Sequence, residues 1–248
     1  MTFWDHLDVL RASLFRIALV LLASAVGFFV FKDFLFNDVV LAPSNGDFFL
    51  YRLIGVDFSL SLVNIEVTAQ FMIHMKMAFL CALVFTFPYV IFKVWQFIAP
   101  ALYDNEKTKV RNAFLFASGL FYLGIAVGYL LIFPLMLHFF ADYQVSSAVP
   151  NMFSLSSYIS LLTSMVLTFG IVFEFPTLVS LLSALGVLKK EAMKKYRRHA
   201  ICAVVILAAV ITPSGDPFSL MVVSLPLYLL YEFSVMICKP ESVKQIEN

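Results

Sequence analysis

The run Asn112–Leu137, which reads NAFLFASGLFYLGIAVGYLLIFPLML, decides the fold of this chain. Its 26 residues carry no charged side chain, and they lie between Arg111 and a polar loop at 141–157. A helix that crosses the hydrocarbon core of a bilayer needs about 20 apolar residues, within a range of about 17–25. The run therefore predicts a transmembrane helix over 112–137.

The composition extends this prediction to the whole chain of 248 residues. The chain is 62% hydrophobic and 13% charged, and its mean hydropathy is +0.93. Soluble domains are about 45–50% apolar and about 25% charged, and one core of this size could not bury so much apolar surface. The composition therefore excludes a soluble fold. The formal net charge of +1 gives no sign of a nucleic-acid partner, and none is predicted.

Further apolar runs predict five more spans, so the fold class is all-α, a polytopic membrane protein with one transmembrane domain over 1–248. These spans cover residues 12–31, 71–92, 158–185, 199–212 and 217–237. The turn Thr212–Pro217 contains two prolines and a glycine, and it divides the last apolar stretch into two short helices. Such a pair requires a locally thin bilayer or shelter from other helices. A re-entrant hairpin predicts the same endpoints, so both arrangements stay open.

The positive charges fix the predicted orientation, because Lys and Arg near span ends stay in the cytoplasm. With a cytoplasmic N-terminus, the outer side holds only Lys32 and Arg52, and Lys76 lies inside the second span. The remaining cations fall on cytoplasmic segments: Arg11, Arg16, Lys93, Lys107, Lys109, Arg111, Lys189, Lys190, Lys194, Lys195, Arg197, Arg198, Lys239 and Lys244. We therefore predict a multi-pass membrane protein with both termini in the cytoplasm.

No catalytic or metal motif accompanies these spans. The sequence has no GxSxG, no HExxH and no glycine-rich phosphate loop. Its three cysteines and four histidines show no ligand spacing. We therefore predict no enzyme activity, no metal and no cofactor. A small-molecule secondary transporter is the alternative function, and it predicts two matching halves with broken helices. No internal repeat of that kind is visible.

Ionisable groups at membrane depth are the candidate functional residues, because they are costly there. Glu174 lies inside the fourth span, in Phe173-Glu174-Phe175-Pro176, and Pro176 predicts a bend at this point. Two uses stay open for Glu174: a neutral group bonded to a freed carbonyl, or a polar contact for a partner or substrate. Two uses stay open for Lys76 as well: it extends its amine to the membrane interface, or it is a functional ionisable group inside the membrane. The pair Gly124-x-x-x-Gly128 predicts close helix packing within the chain.

Several motifs give the chain a resemblance to TatC, the multi-span subunit of the twin-arginine protein translocase. The N-terminal His6-Leu7-Asp8-Val9-Leu10-Arg11 is similar to the family's His-Leu-x-Glu-Leu-Arg. The loop Phe97-x-x-Pro100-x-Leu102-x-x-x-Glu106 matches the family's most recognisable motif. Three further motifs also match, and all the motifs stand in the family's order along the chain: Leu41-Ala42-Pro43, Phe173-Glu174-Phe175-Pro176 and Thr212-Pro213. The resemblance covers essentially the whole chain.

The resemblance implies a fold and a function. The fold would be a curved, glove-like bundle with short fifth and sixth helices. The protein would bind twin-arginine signal peptides of folded cargo at its cytoplasmic face. It would recruit small single-span subunits of the TatA/TatB type, self-associate in the receptor complex, and transport cargo with the proton-motive force.

The resemblance also assigns site residues by position. Those implied at the signal-peptide site are Glu106, Asp8, Arg11, Phe97, Pro100 and Leu102. Those implied at a partner or intramembrane polar site are Glu174 and Thr212, and Lys76 joins this polar set because of its depth in the second span. Val9 stands where the family has its N-terminal glutamate, and Asp8 precedes it. We therefore expect Asp8 to substitute for the missing acid, or Glu106 to act largely alone. The glutamine that some family members carry near the start of the sixth helix corresponds to Leu220.

Overall fold

The computed structural model describes residues 3–56, 58–98, 104–146, 148, 151–184, 186–212 and 215–238. For residues 3–6, 98, 104–113 and 184 it describes the backbone alone. The described residues are mostly helical. The helices are α1 (Phe3–Val30), α2 (Phe49–Ile54), α3 (Ala69–Ile98), α4 (Asp104–Val127), α5 (Phe133–Asp142), α6 (Leu155–Val172), α7 (Phe175–Ala184), α8 (Lys190–Lys195), α9 (Arg197–Ile211) and α10 (Pro217–Ile237).

The apolar helices confirm the predicted membrane fold. Among the described residues, five helical segments are long and apolar enough to cross a bilayer: Leu7–Val30, Ala69–Phe97, Phe114–Asp142, Leu155–Ser183 and Pro217–Ile237. A π-helical segment, Gly128–Ile132, joins α4 to α5. The sixth apolar helix, α9, has 15 residues, which gives a length of about 22 Å. This is shorter than a hydrocarbon core of about 30 Å, as the sequence predicted.

The chain forms two compact units, and the first comprises residues 1–101 and 129–165. In this unit α1 packs along α3. The Phe29 ring near the end of α1 stacks on the His74 ring near the start of α3, with centroids 4.0 Å apart. Since α1 has 28 residues and α3 has 30, the start of α1 and the end of α3 lie on the same side of the membrane.

The stretch from Lys32 to Gln70, between the first two predicted spans, contains ordered elements. It contains a π-helical segment (Phe34–Val40), a 3-10 turn (Ala42–Ser44), the helix α2 and a strand β1 (Leu62–Val63). Strand β1 pairs in parallel with β2 (Phe153–Ser154). The all-α prediction therefore holds with one small two-stranded addition.

Tyrosine hydroxyls hold this stretch against helices that are distant in sequence. Tyr158 donates a hydrogen bond to the Val40 carbonyl at 2.8 Å, and Tyr129 donates to the Val39 carbonyl at 2.5 Å. The fully buried Tyr51 lies within hydrogen-bond distance of the Pro43 carbonyl at 3.1 Å. Its burial raises the pKa of the Tyr51 hydroxyl above the ordinary value for tyrosine. Each bond satisfies a backbone carbonyl that the irregular chain leaves without a helical partner.

The second unit comprises residues 102–128 and 166–248. In it α7 packs against α4 and α10, and α10 packs against α9. Val179, Met193, Tyr231, Val235 and Cys238 form a buried cluster. The Tyr231 hydroxyl donates to the Met193 carbonyl at 2.7 Å, which fastens α8 to α10.

Candidate functional site

The N-terminal motif lies on the first two turns of α1. Asp8 and Arg11 are both exposed, and their three-residue spacing places them on the same face of the helix. Val9, at the position of the family glutamate, is 39% exposed. The side chain at this position therefore has room to change without repacking a core.

The loop motif divides between two helices. Phe97 is half-buried at the end of α3, which is the side of the membrane at which α1 begins. Pro100 and Leu102 lie outside the described residues. Glu106 was predicted as a loop residue, but α4 begins at Asp104 and so includes it. The difference arises because the apolar run marks where the bilayer begins, whereas helix-forming polar residues extend α4 beyond it. The Glu106 side chain lies outside the described atoms.

The bend predicted at Pro176 is present, and it takes the form of an interruption between two helices. Helix α6 ends at Val172 and α7 begins at Phe175, with Phe173 and Glu174 between them. The Glu174 amide donates to the Ile171 carbonyl at 3.1 Å, three residues back instead of four. Pro176 has no amide hydrogen, so the chain cannot continue the α-helical pattern through this turn.

This interruption places a polar spot at membrane depth. Within the described part of the chain, Oε1 of Glu174 and Oγ1 of Thr177 are buried and make no hydrogen bond of standard geometry, although the two side chains interact with each other. Glu174 directly precedes α7, and Thr177 lies in the first turn of that helix. A buried polar atom without a partner is unfavourable in a folded chain. The spot is therefore suited to a polar group supplied by another molecule.

The other two residues of the polar set have different surroundings. Thr212 is buried at the C-cap of α9, and its hydroxyl donates to the Ala208 carbonyl of that helix at 3.0 Å. Lys76 is exposed on α3, seven residues after the helix begins. Side chains lean toward the N-terminus of their helix, so the Lys76 amine can extend toward the nearer membrane surface.

Sequence reasoning missed an ion pair near the start of α9. Arg197 donates to Glu232 on α10 at 2.7 Å, and the Tyr228 hydroxyl donates to the other carboxylate oxygen of Glu232 at 3.0 Å. Its partner could not be found from sequence, because the two residues are 35 positions apart.

Residues 5–226 match the sequence model of the family described as Sec-independent protein translocase protein (TatC). The chain belongs to the TatC family. A TatC protein of Blattabacterium sp. subsp. Periplaneta americana is 34% identical to it, over 96% of this chain and 94% of that relative. A TatC protein of Helicobacter pylori strain J99 is 33% identical over 77% of this chain and 76% of that relative.

The fold of this TatC family member also matches solved structures. Two crystal structures described as the twin arginine translocase receptor TatC each share 27% identity with it. One has a TM-score of 0.75 and covers 94% of this chain and 97% of its own. The other, described as being in DDM, has a TM-score of 0.78 and covers 94% of this chain and 99% of its own. The chain is thus a multi-pass membrane protein and a subunit of the Sec-independent translocase.

Proposed function

We propose that this TatC family member is the receptor and core subunit of a twin-arginine translocase. In this proposal the whole chain, residues 1–248, works as one transmembrane domain that binds and moves proteins and makes or breaks no covalent bonds. Family membership over nearly the entire chain carries the proposal. The two similar crystal structures, both described as translocase receptors, support the receptor role.

The signal-peptide site is proposed at the side of the membrane where α1 begins and α3 ends. Paired arginines of a signal peptide are best bound by carboxylates, which accept bidentate, charge-assisted hydrogen bonds. Glu106 and Asp8 are the acids assigned to this role. Arg11, Phe97, Pro100 and Leu102 complete the site as the residues that shape it.

The partner contacts are proposed within the membrane. Small single-span subunits of the TatA/TatB type would use the polar spot at Glu174, and Thr212 and Lys76 are assigned as further polar contacts. The proton-motive force would drive transport, and copies of the chain would associate in the receptor complex. Membrane lipid surrounds the remaining apolar surface.

The proposed location is the bacterial inner membrane, with both termini in the cytoplasm. The supporting observation is the distribution of Lys and Arg along the chain, because cytoplasmic segments retain an excess of these residues. Fourteen of the seventeen cations then fall on the cytoplasmic side.

A folded reporter with a twin-arginine signal tests the proposed function. Its export is measured in cells that lack this gene and in the same cells after complementation. We expect export only after complementation. Unchanged export in both strains, with the protein present in the membrane, contradicts the proposal.

A second measurement tests the signal-binding role of Glu106. We expect Glu106→Ala to reduce crosslinking of the chain to a twin-arginine signal peptide by about tenfold or more, since a charge-assisted bond of about 1.5–3 kcal/mol is lost. A control peptide with its two arginines replaced by glutamine should crosslink weakly to both variants. Normal crosslinking of Glu106→Ala removes this residue from the site.

A further inference from the structure

Helix α9 is buried mainly at one end. Its buried side chains are Ala208 and Ile211, and both lie in its last turn. Thr212, which follows that turn, is buried as well. The side chains in the first half of the helix are exposed or half-buried, and Ile201 among them is 45% exposed. Packing therefore holds the last turn of α9 more firmly than its first half.

Open space lies beside the first half of α9. An apolar groove of about 220 Å³ runs between the α6–α7 junction, α9 and α10, all within the second unit. On α9 its lining residues are Ala200, Ala203, Val204 and Leu207. The methyl group of Ala200 also packs against the buried cluster that contains Tyr231. Small side chains beside a void interdigitate little with their neighbours, so this half of the helix has room to move.

An ion pair fastens the start of α9 to α10. Arg197, the first residue of α9, donates to Oε2 of Glu232 at 2.7 Å. The Tyr228 hydroxyl donates to Oε1 of the same carboxylate at 3.0 Å, so both carboxylate oxygens are bound. The Arg197 and Glu232 side chains are 45% and 24% exposed. Ion pairs this accessible to solvent stabilise a fold only modestly, so the pair can open while the rest of the unit stays folded.

The connection between α8 and α9 permits such a movement. Helix α8 is fastened to α10 by its own contact, since the Tyr231 hydroxyl donates to the Met193 carbonyl at 2.7 Å. Tyr196 joins α8 to α9 with φ −94° and ψ 14°, which is the sparsely occupied bridge region of turns and not helical geometry. Helix α9 can therefore change direction at Tyr196 while α8 keeps its place.

We propose that Arg197 and Glu232 form a latch that controls the position of α9. The closed latch, as in this structure, holds the first half of α9 against α10. When the latch opens, α9 pivots about its buried last turn, and the width of the apolar groove changes with it. Arg197 and Glu232 are thus positioning residues, and the movement requires neither a signal peptide nor a partner subunit.

Distances between pairs of spin labels test the latch in the full chain, purified and reconstituted in lipid nanodiscs. The labels are attached to genetically encoded ketone side chains, so the three native cysteines stay in place. One pair joins positions 115 on α4 and 201 in the first half of α9, and the other joins 123 on α4 and 210 near the end of α9. All four positions are exposed. Helix α4 is the reference because it packs against α7.

Loss of either charge should move the first pair of labels alone. Glu232→Gln removes the negative charge and keeps both the size of the side chain and an acceptor oxygen for Tyr228. Arg197→Gln removes the positive charge. We expect each variant to shift or broaden the distance distribution between 115 and 201 by several ångströms and to leave the distribution between 123 and 210 unchanged. Arg198→Gln, at the neighbouring exposed position, is the matched control and should change neither distribution.

Exchange of the two charges should close the latch again. Arg197→Glu alone should open it, whereas Arg197→Glu combined with Glu232→Arg should restore the wild-type distribution. The exchange places an acid at the first position of α9, which the helix dipole favours, so the helix itself does not oppose it.

Three results would each overturn the proposal. They are an unchanged distribution between 115 and 201 in both Glu232→Gln and Arg197→Gln, an equal shift of the two label pairs, and a charge exchange that leaves the latch open. The measurements use no signal peptide and no partner subunit, so failure of the latch is distinct from failure of the proposed receptor function.

Discussion

A Cβ atom at Gly124 on α4 would lie 2.7 Å from the Cβ of Phe173, where α6 ends. The same atom would also meet the carbonyl oxygen of Phe169. Real Cβ atoms almost never approach other heavy atoms this closely, and one of the two obstacles is backbone that cannot rotate away. Glycine at 124 therefore permits the close approach that the Gly124-x-x-x-Gly128 pattern predicted, and the approach is internal to the chain.

Gly124→Ala should destabilise the protein. Forcing a methyl group into this contact should lower the free energy of unfolding by about 1–3 kcal/mol, although alanine is the better helix former. Thermal unfolding of the protein in detergent measures the effect. Gly119→Ala on the same helix is the control, since a Cβ there meets nothing within 4 Å. Equal melting temperatures for the two variants would contradict the close approach.

Tyr158→Phe should loosen the stretch between α1 and α3. The substitution removes the hydroxyl that donates to the Val40 carbonyl and leaves that carbonyl without its partner in a region where Val40 is fully buried. A buried polar group that loses its partner costs about 1–3 kcal/mol. Hydrogen exchange of the amides in 34–44 should quicken accordingly. Tyr143→Phe, at a side chain that is 64% exposed, should leave exchange unchanged, and an equal effect of both variants argues against the bond.

Alkaline pH should destabilise the same stretch through Tyr51. Burial raises the pKa of this hydroxyl in the folded chain above its value in the unfolded chain. The folded state therefore holds the proton more tightly, so stability is fully present below the unfolded pKa of about 10 and falls as the pH rises above it. Limited proteolysis of this stretch between pH 8 and 11 measures the loss. Tyr51→Phe should reduce the increase in proteolysis with pH. Tyr143→Phe is the control and should leave this increase as it is in the wild type.

The spans could be predicted from sequence because hydropathy is a property of local composition. The same holds for the interruption before Pro176, since a missing amide hydrogen breaks a helix wherever it stands. The start of α4 could not be located in this way. The apolar run indicates where the bilayer begins. Glu106, however, belongs to a polar segment that continues the helix outside the bilayer.

The ordered structure of residues 32–70 could not be predicted from the sequence either. Its carbonyls bond to tyrosines 90 and 118 positions away, and such pairings depend on the folded arrangement. The Arg197–Glu232 pair was missed for the same reason. Tyrosine in an apolar span is a usable signal, however, because a buried hydroxyl usually has a hydrogen-bond partner.

Asp8 should carry the acidic role that Val9 cannot. Asp8→Ala is expected to weaken crosslinking to a twin-arginine signal peptide severalfold, because a carboxylate partner for guanidinium is lost. Val9→Glu should restore crosslinking in the Asp8→Ala background, since Val9 is already 39% exposed and accepts a larger polar group. Val9→Gln in the same background is the control, because glutamine has the size of glutamate without its charge. If Asp8→Ala crosslinks normally, Asp8 has no part in the site.

Glu174→Leu should change the stability of the isolated chain and its assembly with a single-span subunit in opposite directions. In the isolated chain, Oε1 of Glu174 is buried without a hydrogen-bond partner among the described residues, and such burial costs about 1–3 kcal/mol on the scale of protein substitutions. Replacement by leucine should therefore raise the melting temperature of the isolated chain. If a single-span subunit supplies the missing polar partner, the same substitution should lower co-purification of that subunit severalfold, whereas Glu174→Gln, which keeps the hydrogen-bonding capacity, should lower it less. Thr177→Val provides the matched loss of a polar group one turn along. A Glu174→Leu variant that is more stable and still assembles normally would show that the carboxyl group is not a partner contact.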